Sequence, residues 1–339
     1  MQKIKSSFEV EKAELLSKQC KDAAFYITEP VRKNCKNCLM PINSKEIFLT
    51  KKFSSETSID FILCKTCGHF NGKFQDTQNY SKKLYSGEKA SYGTTTYLKS
   101  ASSNSDYDNR VKNIYLPKVK FFDSVTKLNK KSTKIFDMGC GAGYLIKSFQ
   151  KIGFKNIIGS EISPDLFLAA KTYLPGVELI ASSDKGVLEI LKKFNGNVVC
   201  MIGVLEHLVY NDVVMKAIVD NRNIKYLFIS VPKFSLSVYL ELLSTDFFHR
   251  QLSSGHTHLY TEQSLKYLEK MYSLDRVGEW YFGTDIEDLR RLIFSNLNGF
   301  EDAKEYLDEN FFSNRDSLQS AIDKTRFTSE VHLVYKIKR

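Results

Sequence analysis

The chain has 339 residues, 42% hydrophobic and 26% charged, enough apolar material to bury a sizeable core without disulfides. Six prolines and 17 glycines exclude a long low-complexity region, and no repeat of fixed period is present. The net charge of +10 is lopsided: residues 1–133 hold 24 Lys+Arg against 13 Asp+Glu, whereas residues 134–339 hold 25 against 26. A basic first third fits an anionic partner or, more simply, a solvated basic face. The opening MQKIKSSFEVEKAELLSKQC lacks the apolar run of a secretory signal, and no stretch approaches the roughly 18 consecutive apolar residues of a membrane span. The expected compartment is the cytoplasm, where seven cysteines read as metal ligands and buried thiols.

In chain order, a weakly helical start over Phe8–Lys21 precedes a β-rich stretch, Phe48, Phe53, Ile59, Phe61 and Leu63, framed by paired cysteines. Residues 71–109 are rich in Ser, Thr, Asn and Tyr (Tyr80, Tyr85, Tyr92, Tyr97) and read as irregular or loosely helical. Val111–Leu128 carries apolar residues at helical spacing and predicts a connecting helix. From Lys134 the pattern alternates. Strands are predicted at Lys134–Met138, Asn156–Glu161, Val177–Ile180, Val198–Ile202 and Lys225–Val231. Helices are predicted at Ala142–Ile152, Pro164–Tyr173, Val187–Phe194, Asp212–Asp220 and Thr261–Tyr272. Strands at Asp275–Phe282 and Glu330–Lys338 flank a helical insertion over about 285–327. Short apolar strands alternating with helices predict an α/β doubly wound, mostly parallel sheet.

Four motifs carry chemistry. Asp137-Met-Gly139-Cys-Gly141-Ala-Gly143 follows a strand and opens a helix, so its backbone can approach a ligand closely and present free N–H groups. A dinucleotide fingerprint would need glycine where Tyr144 stands, and the Lys-Ser/Thr ending of a phosphate loop is absent. Glu161 ends the next strand, where a carboxylate can accept both hydroxyls of a ribose. Gly203-Val-Leu-Glu206-His207-Leu208 follows the fourth strand, at the edge that forms the ligand crevice of such sheets. A histidine there can serve as a base near neutral pH, or merely pack locally. The third motif is Cys35-x-x-Cys38 with Cys64-x-x-Cys67-Gly68, two knuckles that place four thiolates on one tetrahedral zinc. Iron, or a chance pairing of cysteines, is the alternative, and four thiolates would close the shell, so the expected role is structural. Cys20, Cys140 and Cys200 are spare, the last two expected near the sheet. The fourth is His249 with Ser254-Gly-His256-Thr-His258-Leu-Tyr260-Thr261, a loop able to supply a base and substrate hydrogen bonds.

The glycine loop with Asp137 and Glu161 at strand ends resembles the class I S-adenosylmethionine-dependent methyltransferases over about 134–339. The resemblance implies a seven-stranded sheet with a late antiparallel strand, preceded here by a small zinc-binding domain. It implies that Gly139, Gly141 and Gly143, after Asp137, line the methionine part of the cofactor and that Glu161 holds the ribose. Asp184 would meet the adenine amine, although Ser182 and Ser183 are equally well placed. The Leu-Glu-His element looks like that of small-molecule methyltransferases and unlike the Asn/Asp-Pro-Pro-Tyr element of enzymes acting on nucleobase amines. The order of cysteine pairs, tyrosine-rich linker, glycine loop, Leu-Glu-His and His-x-His-Leu-Tyr-Thr resembles bacterial sugar methyltransferases with an N-terminal zinc domain, including the nucleotide-sugar C-methyltransferases. That likeness implies an anionic small-molecule substrate, a nucleotide sugar or other glycan precursor, with His207, His258 and His256 as candidate bases, His256 ranked last because it directly follows Gly255. It also implies that N-terminal tyrosines reach the substrate. The implied organisation is a zinc and substrate domain over 1–110, a connecting helix over 111–133 and a cofactor domain over 134–339. Two other readings stay open: an RNA methyltransferase gripping RNA through its basic zinc domain, and a non-catalytic cofactor-binding partner of glycan-synthesis enzymes.

Overall fold

The computed structural model of the protein describes residues 16–85, 101, 103–245, 250–253 and 255–339. Tyr92, Tyr97, His249, Ser254 and the helix start at Phe8 lie outside the described residues. In chain order the strands are β1 (Leu49–Lys52), β2 (Ser58–Leu63), β3 (Phe70–Gly72), β4 (Lys134–Met138), β5 (Asn156–Glu161), β6 (Glu178–Ala181), β7 (Val198–Ile202), β8 (Tyr226–Pro232), β9 (His258–Leu259), β10 (Leu274–Phe282) and β11 (Glu330–Ile337). The chain divides into two units. The first takes Met1–Tyr80, Pro232–Leu265 and Tyr281–Val331, and the second takes Ser81–Val231, Lys266–Trp280 and His332–Arg339. No helix among the described residues is long and apolar enough to cross a membrane.

The second unit is organised by a seven-stranded sheet in the order β10-β11-β8-β7-β4-β5-β6. β4 pairs in parallel with both β5 and β7, β5 with β6, and β7 with β8. Backbone bonds join Ile337 to Lys225 and Lys233 to Ser329, so β11 runs antiparallel to β8. The doubly wound sheet expected from the sequence is therefore present. β4, β5 and β7 coincide with their predicted spans, and the other four strands lie within one residue of theirs. The central strands were legible because both faces are covered: Val198, Val199, Cys200 and Met201 of β7 are all fully buried, and such strands read as continuous apolar runs. Strand order reverses at β4, where β5 and β6 extend one way and β7 and β8 the other. The crevice of an open α/β sheet forms at such a reversal.

One helical prediction is modified. In place of a single helix over 111–128, an α-helix over Asn104–Arg110 runs into a π turn, Val111–Tyr115, and then an α-helix over Leu116–Thr126. Ser103 caps the start by accepting from the Asp106 N–H at 3.1 Å. The π turn lies just ahead of Pro117, which then falls in the first turn of the next helix, where its missing N–H costs nothing. Phe122 of that helix packs edge-on against Phe149 and tilted on Phe228, within a core that also holds Ile135, Ile146 and Cys200.

The first unit has a four-stranded antiparallel sheet, β1-β2-β3-β9, in which β9 comes from far along the chain. Three helices, Asp285–Asn296, Glu301–Asn310 and Arg315–Lys324, follow β10. The first and third are tied down by Asp285, which is fully buried, and the second by the Arg290–Asp308 ion pair. One carboxylate oxygen accepts from the Ser237 N–H and hydroxyl at 3.1 and 2.9 Å. The other accepts from Ser329 N, Thr328 Oγ1 and Gln319 Nε2 at 3.0, 3.1 and 3.3 Å. Removing this acceptor strands several buried donors at once. Asp285→Ala should lower stability by about 2–4 kcal/mol. A denaturant titration showing an unchanged midpoint would contradict this account of how the first and third helices are held.

Candidate functional site

In the second unit the glycine loop turns directly off β4. Gly139, Gly141 and Gly143 all have positive φ, 69°, 56° and 84°. Their surroundings differ. A Cβ on Gly139 would lie 2.7 Å from Val204 Cγ2, and one on Gly143 would lie 2.3 Å from Leu174 Cδ1, so both are places of close packing. A Cβ on Gly141 would meet nothing within 4 Å. Gly141 is thus the point where the loop's backbone faces open space.

Glu161, at the end of β5, is buried and holds this loop. Its Oε2 accepts from Gly141 N at 2.7 Å, and its Oε1 accepts from Ile162 N and Ser163 N, both at 2.8 Å. Burial raises the carboxyl's pKa, and the three N–H donors work against that rise by favouring the charged form. Asp137 is buried with Oδ2 lacking a hydrogen-bond partner, and burial together with the Glu161 charge raises its pKa well above the usual carboxylate range. Beyond β5, Ser182 N donates to the Glu161 carbonyl at 3.1 Å. Asp184 is the first residue of the helix Asp184–Lys193, and its side chain lies outside the described residues.

After β7, Leu205–His207 form a single 3-10 turn that begins two residues past Gly203. Glu206 is buried, and its Oε1 lies 3.8 Å from His207 Nε2. On the other side of the ring, His207 Nδ1 is 2.7 Å from the hydroxyl of Tyr85, which ends the helix Gln78–Tyr85. The imidazole is therefore bracketed by a phenol and a carboxylate. Tyr85 stood out in the sequence as one of four linker tyrosines, and nothing local marked it as the one that reaches His207.

In the first unit the four cysteines converge. Cys35 and Cys67 Sγ are 3.6 Å apart, as are Cys38 and Cys64 Sγ, and all four sulfurs lie within 4.8 Å of one another in the buried interior. Asn71 Nδ2 donates to Cys35 Sγ at 3.5 Å and Asn37 Nδ2 to Cys67 Sγ at 3.8 Å. Of the spare cysteines, Cys140 and Cys200 pack in the second unit's core, and Cys20 donates to the Phe53 carbonyl at 3.0 Å.

The histidines of the later loop fall in this unit too, in unlike settings. His258 lies on β9 opposite Asn71 of β3, fully buried, with its Nδ1 2.9 Å from His69 Nε2. Neither His258 Nε2 nor His69 Nδ1 has a hydrogen-bond partner, and burial depresses the His258 pKa well below the usual value. His256 is partly exposed, its Nδ1 3.3 Å from the Gln251 carbonyl, and burial of the ring lowers its pKa to about 4. Tyr260 is buried against His69.

Residues 107–272 match the sequence model of the methyltransferase domain. The match takes in the glycine loop, Glu161, the Leu-Glu-His turn and the His256–Thr261 segment. Residues 107–272 are a class I S-adenosylmethionine-dependent methyltransferase domain. The four cysteines precede the matched stretch. No curated protein matches the sequence. Among solved structures, the methyltransferase is similar to the plantazolicin methyltransferase BamL in complex with a triazolic desmethylPZN analogue and SAH, at 13% identity over 76% of this chain and 94% of that one, TM-score 0.45. It is similar to a SAM-dependent methyltransferase from Archaeoglobus fulgidus at 15% identity over 68% and 97%, TM-score 0.42. It is also similar to magnesium protoporphyrin IX methyltransferase from Synechocystis PCC 6803, with bound SAH, at 13% identity over 70% and 88%, TM-score 0.41.

Proposed function

We propose that the enzyme methylates an anionic small molecule, a nucleotide-linked sugar or other glycan precursor, at an oxygen or carbon whose proton is taken by a histidine. The observation that carries this reading is His207 set between Tyr85 and Glu206 beyond β7, on the same sheet edge as Gly141 and Glu161. The cofactor, when bound, supplies an electrophilic methyl group on its sulfonium. Gly141, with open space beside it, and Glu161, aimed by three backbone donors, are suited to hold it. A carboxylate offers about four acceptor positions, and three are filled here by N–H groups, so its orientation is set before any ribose hydroxyl arrives.

For His207 to act as base, Nδ1–H donates to the Tyr85 oxygen and the lone pair lies on Nε2. That nitrogen takes the acceptor's proton, and the Glu206 carboxylate 3.8 Å away favours the imidazolium that results. Of the two later histidines, His256 is the better second candidate. It is partly exposed, whereas His258 is sealed against His69. Support for a sugar acceptor is the motif order and the basic balance of residues 1–133. Mass spectrometry of nucleotide sugars incubated with the enzyme and labelled S-adenosylmethionine tests it, and transfer to RNA alone would replace this acceptor with the rival one.

We further propose that Cys35, Cys38, Cys64 and Cys67 hold a structural zinc. Zn–S bonds of about 2.3 Å in a tetrahedron put sulfurs ~3.8 Å apart, and the observed 3.6 Å pairs fit that size. The two asparagine N–H donors suit sulfurs that carry thiolate charge.

Three measurements follow. Glu161→Ala should weaken cofactor binding by roughly 1.5–3 kcal/mol, the scale of hydrogen bonds to a charged group, and calorimetry finding unchanged affinity would remove Glu161 from the site. Elemental analysis should find about one zinc per chain, lost in Cys35→Ser or Cys67→Ser together with stability of the first unit. Freshly purified protein free of both zinc and iron would end that assignment. His207→Ala should keep cofactor affinity and lose about 10²–10⁴-fold in turnover, and Tyr85→Phe should lose about 10-fold by releasing the ring. Near-normal turnover in His207→Ala would move the base elsewhere.

A further inference from the structure

Glu241 is a carboxylate in the apolar run Ser235-Leu-Ser-Val-Tyr-Leu-Glu241-Leu-Leu243. It lies on the helix Leu236–Leu242 and is fully buried. Its three partners are consecutive backbone N–H groups. Oε1 accepts from Arg250 and Gln251 at 2.6 and 2.7 Å, and Oε2 accepts from Leu252 at 2.7 Å. The neighbouring charges are Lys51, whose ammonium donates to the Glu241 carbonyl, and Asp288, which lies 3.8 Å from Arg250 Nε. Burial lifts the Glu241 carboxyl to about 7 while the three donors oppose it.

The same short loop presents its other side to a histidine. The Gln251 carbonyl lies 3.3 Å from His256 Nδ1. The Gln251 side chain is anchored separately, with Nε2 donating to the Ser329 carbonyl at 3.2 Å. A carbonyl only accepts, so this contact is a hydrogen bond in one tautomer alone, with the proton on Nδ1. The peptide groups of 250–252 are thus gripped by a carboxylate through their N–H ends while a C=O end addresses the ring.

We propose that Glu241 is a positioning residue: by holding the N–H groups of residues 250–252 it aims the Gln251 carbonyl at His256 and fixes that ring with its proton on Nδ1 and its lone pair on Nε2. The arrangement follows the rule that a histidine's working nitrogen is chosen by the bond its other nitrogen makes. It deepens the reading above and rests on it only where it concerns turnover. A glutamine at position 241 keeps the shape but offers a single acceptor oxygen and turns an amide N–H toward the backbone donors, so at least one of the three bonds is lost.

The test is a nitrogen-15 histidine spectrum of the full chain, with six histidines and the His256 signals identified by their loss in His256→Ala. In the native enzyme His256 should show a protonated Nδ1 and an unprotonated Nε2. In Glu241→Gln, with the other histidine signals unchanged as evidence of an intact fold, it should become a mixture of tautomers. A native His256 protonated on Nε2 overturns the proposal, and this needs no variant to fold. An unchanged His256 spectrum in Glu241→Gln overturns it as well. Should the tautomer shift as expected while His256→Ala turns over normally, Glu241 positions the ring but the ring is not the base, which separates the two ideas.

Discussion

The bond from Gly141 N–H to Glu161 is the contact on which the glycine-loop edge of the sheet depends. β4 and β5 are neighbours with Met138 opposite Ser160, so their ends emerge side by side and the loop after β4 must cross the end of β5. Left to itself, a glycine loop with three positive-φ residues would sample many shapes. The 2.7 Å bond selects one, and the buried carboxylate of Glu161 is the group that selects it. Close packing fixes the rest, with Val204 against Gly139 and Leu174 against Gly143. Only Gly141 is left with room beside it, so the pattern Gly-x-Gly-x-Gly serves two packing needs and one opening.

Much of this was legible beforehand. Continuous apolar runs flanked by Gly and Pro located β4, β5 and β7 because a doubly covered strand has no polar face to confuse the pattern. The cysteine pairs converged as their spacing implied, because a Cys-x-x-Cys knuckle brings its own two sulfurs together and the hairpin β1–β2 returns the chain to its start. The π turn was not legible. Val111, Ile114 and Tyr115 keep helical spacing through it, and only Pro117 marks the point where the backbone register changes.

Side-chain partners across the chain were harder to read, for a physical reason. Tyr85 and His207 meet because two elements far apart in sequence fold to one place, and neither carries a local sign of the other. His256 and His258 look equivalent in Gly-His-Thr-His, two residues apart. On a strand, period two sends both to one face, but β9 begins only at His258, so strand pairing buries one and leaves the other at the loop. A short strand that starts between two like residues separates them more sharply than any propensity would. Asp285 was likewise hidden, since an acidic residue at the start of a helix reads as an ordinary surface charge until the five donors around it are seen.

Two buried glutamates, one in each unit, solve the same problem in the same way. Glu161 takes N–H groups from Gly141, Ile162 and Ser163, and Glu241 takes them from Arg250, Gln251 and Leu252. Irregular backbone lacks the ladder partners that helices and strands provide, and an unmade buried N–H costs about 1–3 kcal/mol. A carboxylate is the side chain with enough acceptor sites to satisfy three at once, and its charge strengthens each bond. The cost is its own desolvation, visible in the raised carboxyl pKa of both residues. That cost is repaid only while all three donors stay in place. Each loop is therefore held cooperatively: a shift that breaks one bond weakens the hold on the other two.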